Sequence, residues 1–108
     1  MISSALVILL LAAAPNGAAQ SREAYARCLK EVVKTSAEKQ LEAVAFDSAL
    51  ASACRDKENL FKTNMISSEV AMGVKRAVSE KSMVEEISSY RTMAKEDFQA
   101  AVAEAPKP

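Results

Sequence analysis

The sequence predicts an all-α fold, a small up-down-up bundle of three helices that follows an N-terminal signal peptide. Three observations predict it. Beyond residue 20, apolar side chains recur at i, i+3, i+4 and i+7 along most of the chain. Two glycines and three prolines in 108 residues leave few points at which a helix must stop. No segment alternates apolar and polar residues with the period of two that a strand requires. Half of the residues are apolar, which is the composition of a globular chain rather than a disordered one, and the length allows a single domain.

The first twenty residues, MISSALVILLLAAAPNGAAQ, carry no charged side chain and hold an unbroken apolar run from Ala5 to Ala14. Crossing a bilayer takes about 20 apolar residues, so this run is short for a span and suits the apolar core of a secretory signal. Pro15, Asn16 and Gly17 break a helix, and Gly17 and Ala19 place small side chains where signal peptidase reads them. Residues 1–19 therefore read as a signal peptide, 20–105 as one helical domain, and 106–108 as a disordered tail in which Pro106 and Pro108 remove backbone donors. The leader has no Lys or Arg, so an uncleaved anchor or a buried first helix is the competing reading, and whether the segment is cut after Ala19 or retained stays open. The expected location is periplasmic or secreted, with no stable membrane span in the mature chain.

In the first predicted helix, SREAYARCLKEVVK, Ser21 is the candidate N-cap and Tyr25, Cys28, Leu29, Val32 and Val33 form the apolar stripe. Glu23, Arg27 and Glu31 lie opposite, at the i, i+4 spacing of a solvated ladder. Thr35 with Glu38 matches a capping box, whereas Ala37, Leu41 and Val44 nearly continue the stripe; a connection between Lys34 and Glu42 satisfies both. The second helix is expected from about Glu42 to Met72, with Phe46, Leu50, Ala53, Cys54, Leu60, Phe61, Met65 and Met72 facing inward. Arg55, Asp56, Glu58 and Lys62 are expected outside. A break near TNMISSE is the alternative, because Thr, Asn and Ser are poor helix formers. Gly73 is the natural residue to end the helix in the left-handed conformation. After the connector VKRAVSEK, Ser82 and Glu85 offer a second capping box. It opens a third helix to Ala103, with Met83, Ile87, Tyr90, Ala94, Phe98 and Ala101 or Val102 inside, and Glu86, Arg91, Lys95 and Glu96 mostly outside.

Export decides how the two cysteines read, since an even number in an oxidising compartment points to disulfides. Cys28 and Cys54 allow one intramolecular pairing, which would join the first and second helices. They lack the C-x-x-C spacing of a redox dithiol, and two thiols without histidine cannot complete an ordinary zinc site. Free thiols remain the other alternative.

The rest of the composition excludes more chemistry than it offers. With 14 basic and 14 acidic residues the chain presents no net field for nucleic acid, and Lys75–Arg76 is too small a basic patch for one. The absence of histidine removes Ser-His-Asp, Cys-His and H-E-x-x-H arrangements, and two glycines cannot form a phosphate cradle. Met65, Met72, Met83 and Met93 read as packing residues rather than as a copper site. No metal site and no cofactor is expected.

The leader, YARC on the first helix and FDSALASAC followed by a charged stretch on the second resemble a loose group of small exported helical proteins of alphaproteobacteria. The resemblance covers about Tyr25 to Glu58, rests on Y-x-x-C and A-C, and implies an exported helical protein; it brings no catalytic residue with it.

The functional expectation is a non-enzymatic protein-interaction module of the cell envelope, binding an envelope protein or itself. Since the second and third helices look longer than the first, their overhanging faces supply the candidate surface: Leu60, Phe61, Met65, Met72, Tyr90 and Phe98. The alternative is a small carrier of an apolar ligand, such as a lipid, held between those two helices; an enzyme is a distant third.

Overall fold

The computed structural model describes residues 17–104, so the leader before Gly17, expected as a signal peptide, and the tail after Glu104, expected as disordered, lie outside the described residues. Every element within that range is a helix: α1 (Gly17–Glu38), α2 (Ala43–Ala53), α3 (Arg55–Ala71) and α4 (Arg76–Glu104). The predicted bundle of three helices is therefore a bundle of four.

The extra helix arises because the expected second helix is divided at Cys54, whose φ of −106° and ψ of 8° leave helical geometry. Cys54 ends α2, donating its backbone N–H to Leu50, and begins α3, accepting from the N–H of Glu58. No glycine or proline marks the spot. The bend follows from tertiary contacts: Cys54 is bonded to Cys28 with their Cα atoms 5.8 Å apart, while Phe46 of α2 reaches a different part of α4 than α3 does. The TNMISSE stretch, where a break was the alternative, stays helical; Asn64 turns its side chain outward from its own helix to donate to the carbonyl of Gly17.

Helix ends also depart from the sequence expectation in specific ways. Ser21 does not cap α1, because the alanines before it continue the helix; its Oγ donates back to the carbonyls of Gly17 and Ala18 at 2.7 and 3.1 Å. The expected cut after Ala19 thus falls inside α1, with Ala18 and Ser21 buried on either side. The Thr35–Glu38 box is likewise unused: α1 runs to Glu38 and ends in a Schellman turn. There Gln40 (φ 53°) donates to Ala37 and Leu41 donates to Ser36. The connection, residues 39–42, lies within the expected range.

Gly73 closes α3 as expected. With φ at 99° it donates to Val70, and Val74 donates to Glu69, completing a second Schellman turn. The connector after it is much shorter than VKRAVSEK. α4 starts at Arg76, so Ser82 and Glu85 lie within the helix, and Ser79 is buried with its hydroxyl bonded to the Glu69 carboxylate across the hairpin. At 29 residues, α4 is about 43 Å long.

Pairs of contacting residues give the helix directions. Gly17 meets Asn64, Tyr25 meets Glu58 and Cys28 meets Cys54, so α1 runs antiparallel to α3. Arg22 meets Glu86 and Tyr25 meets Tyr90, so α1 and α4 are parallel. Asp47–Lys95, Glu58–Arg91 and Glu69–Ser79 set α2 and α3 antiparallel to α4. The up-down-up order holds, with the descending arm in two pieces. Its core has two aromatic centres: Phe46 stacks flat on Phe98 at 4.1 Å, and Tyr25, Phe61 and Tyr90 meet at 5.6 to 5.8 Å. Such ring contacts add about 0.5–1.5 kcal/mol each beyond the area they bury. Met83, Ile87 and Ala94 fill the rest of the buried stripe of α4.

Candidate functional site

The six residues expected to form one interaction surface do not do so. Phe61 is fully buried and Phe98 nearly so, each as the centre of an aromatic cluster, because α1 and α2 cover faces of α3 and α4 that were expected to overhang. Met65 and Tyr90 are half-buried against the same core. Only Leu60 and Met72 are well exposed, at 54% and 73%. Leu60 faces outward beside the inward Phe61, and Met72 caps α3 at the hairpin tip.

The structure brings together a different set. Tyr25 of α1 donates its hydroxyl to Oε1 of Glu58 at 2.9 Å, and Arg91 of α4 grips the same carboxylate with two hydrogen bonds, Nε to Oε1 at 2.9 Å and Nη2 to Oε2 at 2.7 Å. One carboxylate therefore joins three helices. Both polar residues of this clamp were expected on outer faces. The register held a signal all the same: Cys54, Glu58, Phe61 and Met65 follow i, i+4, i+7 and i+11, and Ile87, Arg91, Ala94 and Phe98 follow the same rule on α4. Glu58 also lies with Asp56 in the first turn of α3, where the helix dipole favours negative charge.

The electrostatics make the clamp a fastener. Burial, then the hydrogen bond and charge of Glu58, push the Tyr25 phenol well above its ordinary value, against a smaller opposing pull from Arg91. Tyr25 is thus a neutral donor and not a base. The bond to Glu58 raises Arg91 further, fixing it as a cation. Within the group, both Glu58 oxygens accept, from the Tyr25 hydroxyl and from Nε and Nη2 of Arg91. Among the described residues, no group of three or more His, Cys, Asp or Glu side chains could hold a metal ion. The disulfide occupies both cysteines, and a structural disulfide belongs to a non-cytoplasmic compartment.

Around the clamp the surface is indented. Two clefts of about 260 Å³ share Ser88 and Arg91: one is bounded by Asp47 and Lys95, themselves paired at 3.5 Å, and the other by Glu58 and Lys62. A third, of about 100 Å³, is an apolar groove where α1 and α4 run side by side. Ala26, Leu29 and Val33 of α1 and Ala94 of α4 form its floor, Tyr90 and Met93 its shoulder. Lys30 stands on the α1 rim and Asp97 on the α4 rim. Met93 is 59% exposed although it lies over an apolar floor.

Among the described residues, no helix is long and apolar enough to cross a membrane. In comparisons with known proteins, no family model, no curated protein and no solved structure matches this chain.

Proposed function

We propose that the protein is a non-enzymatic interaction module of the cell envelope, periplasmic or secreted, that docks a helix of an envelope protein along the groove between α1 and α4. The groove carries this reading. It pairs an apolar floor with an exposed methionine, a side chain suited to adaptable contacts, and its rims carry one cation and one anion that fix the direction of an incoming helix. The disulfide supports a location outside the cytoplasm, as do the apolar leader and the resemblance to small exported helical proteins.

Two further observations favour docking over the other readings. The cleft between α3 and α4, where the alternative reading places an apolar ligand, holds about 260 Å³, below the roughly 300–1,000 Å³ typical of small-molecule sites, and Glu58, Lys62 and Arg91 line it. The Glu58 carboxylate at the centre is engaged by Tyr25 and Arg91, the contacts of a structural fastener, which supports a non-enzymatic reading.

Photo-crosslinking in the host envelope tests the proposal. A photoreactive residue in place of Met93 should give a discrete band that Lys30→Glu weakens, and one in place of Val44, exposed on α2, should not give that band. The same products from both positions would remove the groove as a docking site. A band of twice the chain's mass would reassign it to self-association.

A further inference from the structure

A second surface lies at one end of the bundle and has a different chemistry. The α3–α4 hairpin projects past the first described turn of α1: Gly17 sits beside Asn64, and α3 continues seven more residues to Ala71, about 10 Å. At the tip, Met72, Val74 and Val78 are 73%, 36% and 57% exposed. Three such side chains within seven residues form an apolar cap on a turn that its own backbone hydrogen bonds hold rigid.

This tip carries two adjacent cations. Lys75 and Arg76 are exposed and form no ion pair among the described residues. Of the nearest acidic residues, Glu69 is turned inward to Ser79, and Glu80 lies one helical turn along α4. Elsewhere opposite charges are interspersed, as in Arg22–Glu86 and Asp47–Lys95. An apolar apex collared by cations fits the boundary between headgroups and acyl chains of an anionic bilayer better than it fits a neutral protein surface.

Chain connectivity points the same way. The apolar run Ala5–Ala14 joins the domain at Gly17, at the pole toward which the hairpin projects.

We propose that the α3–α4 hairpin tip docks on an anionic lipid surface, with Met72, Val74 and Val78 entering the interface and Lys75 and Arg76 pairing with lipid phosphates. This is attachment to one leaflet, and it is independent of the groove between α1 and α4.

The chain has no tryptophan, so one introduced at the tip reports on that position alone, whatever the leader does. Full-length V74W, and V78W as a second probe, would be mixed with vesicles of phosphatidylcholine alone or with added phosphatidylglycerol. Circular dichroism would confirm that each variant is folded. With phosphatidylglycerol present, the emission should shift to the blue and be quenched by brominated acyl chains. K75Q/R76Q in the same background should weaken vesicle affinity about 25-fold, or about fivefold per cation. V44W, at the opposite pole, should not respond. Vesicle binding without a blue shift at either tip probe would overturn the proposal. A shift that needs no lipid and grows with protein concentration would also overturn it, by assigning the tip to a second copy of the chain.

Discussion

Removing the Glu58 carboxylate should expose how much the bundle depends on one polar contact. In Glu58→Ala, the Tyr25 hydroxyl loses its acceptor in a residue only 1% exposed, and an orphaned buried hydroxyl costs about 1–3 kcal/mol. The ion pair itself contributes less. The Arg91 side chain is 49% exposed and can return to water, so that loss stays near the surface-pair range of about 0.2–1 kcal/mol. Losing an anion from the first turn of α3 adds about 0.3–1 kcal/mol. Together these place Glu58→Ala at about 1.5–5 kcal/mol, a large share of the stability of so small a domain. Glu58→Gln keeps an oxygen for Tyr25 but faces Arg91 with an amide donor, and should cost about 1 kcal/mol. The two effects separate in a double-mutant cycle. With Tyr25→Phe there is no hydroxyl to orphan, so Glu58→Ala should cost about 1–3 kcal/mol less than in the wild type. Urea unfolding followed by circular dichroism at pH 7 measures all four species. A Glu58→Ala cost under about 0.5 kcal/mol, or the same cost in both backgrounds, would refute the clamp as a three-helix fastener.

Removing both cysteines, as Cys28→Ser/Cys54→Ser, should destabilise the protein by about 3.5 kcal/mol, the chain-entropy value for a 26-residue loop, and lower Tm by about 15–25 °C in a thermal scan. Gly73→Ala meets no atom within 4 Å, so its cost is purely that of a Cβ at φ +99°, about 1–2 kcal/mol by urea unfolding; a neutral result would mean that the turn relaxes without strain. Tyr25 gives a pH signature. Its folded-state value is raised above 10.0, so its contribution is complete below about pH 10 and is lost as pH climbs past that value, where only the unfolded chain ionises. The stability difference between wild type and Tyr25→Phe should therefore shrink by up to about 1.4 kcal/mol per pH unit above about pH 10.

Periodic features of the fold were readable in advance, and features set by tertiary contact were not. Tyr25, Leu29, Phe46, Leu50, Met83, Ile87 and Phe98 announce the core through spacing alone, because a helix can bury only one stripe. Gly73 announces its turn because few other residues adopt that backbone conformation at no penalty. The division at Cys54 has no such signal: Ala51, Ser52 and Ala53 lead into it with ordinary helix propensity, and the bend exists because α2 and α3 each answer to a different partner. Capping boxes mislead for the complementary reason. Thr35–Glu38 and Ser82–Glu85 are local options that a helix passes through when tertiary contacts favour its continuation. The candidate surface failed on coverage, since spacing shows that Phe61 and Phe98 face inward but not how far their neighbours extend over them. Charge alone points Glu58 and Arg91 outward, although their register places them inward.

The break at Cys54 also decides how the molecule comes apart. α2 has 11 residues, fewer than an isolated helix needs to persist in water, and it contributes only Phe46 and Leu50 to the buried core. It is held at one end by the turn at Leu41 and at the other by a covalent bond to α1, so its hydrogen bonds can open while both ends stay in place. Amide exchange should show α2 as a separate unit that opens more readily than α3 and the middle of α4. The disulfide then divides the descending arm into a segment that unzips locally and a segment that is lost only when the whole bundle unfolds.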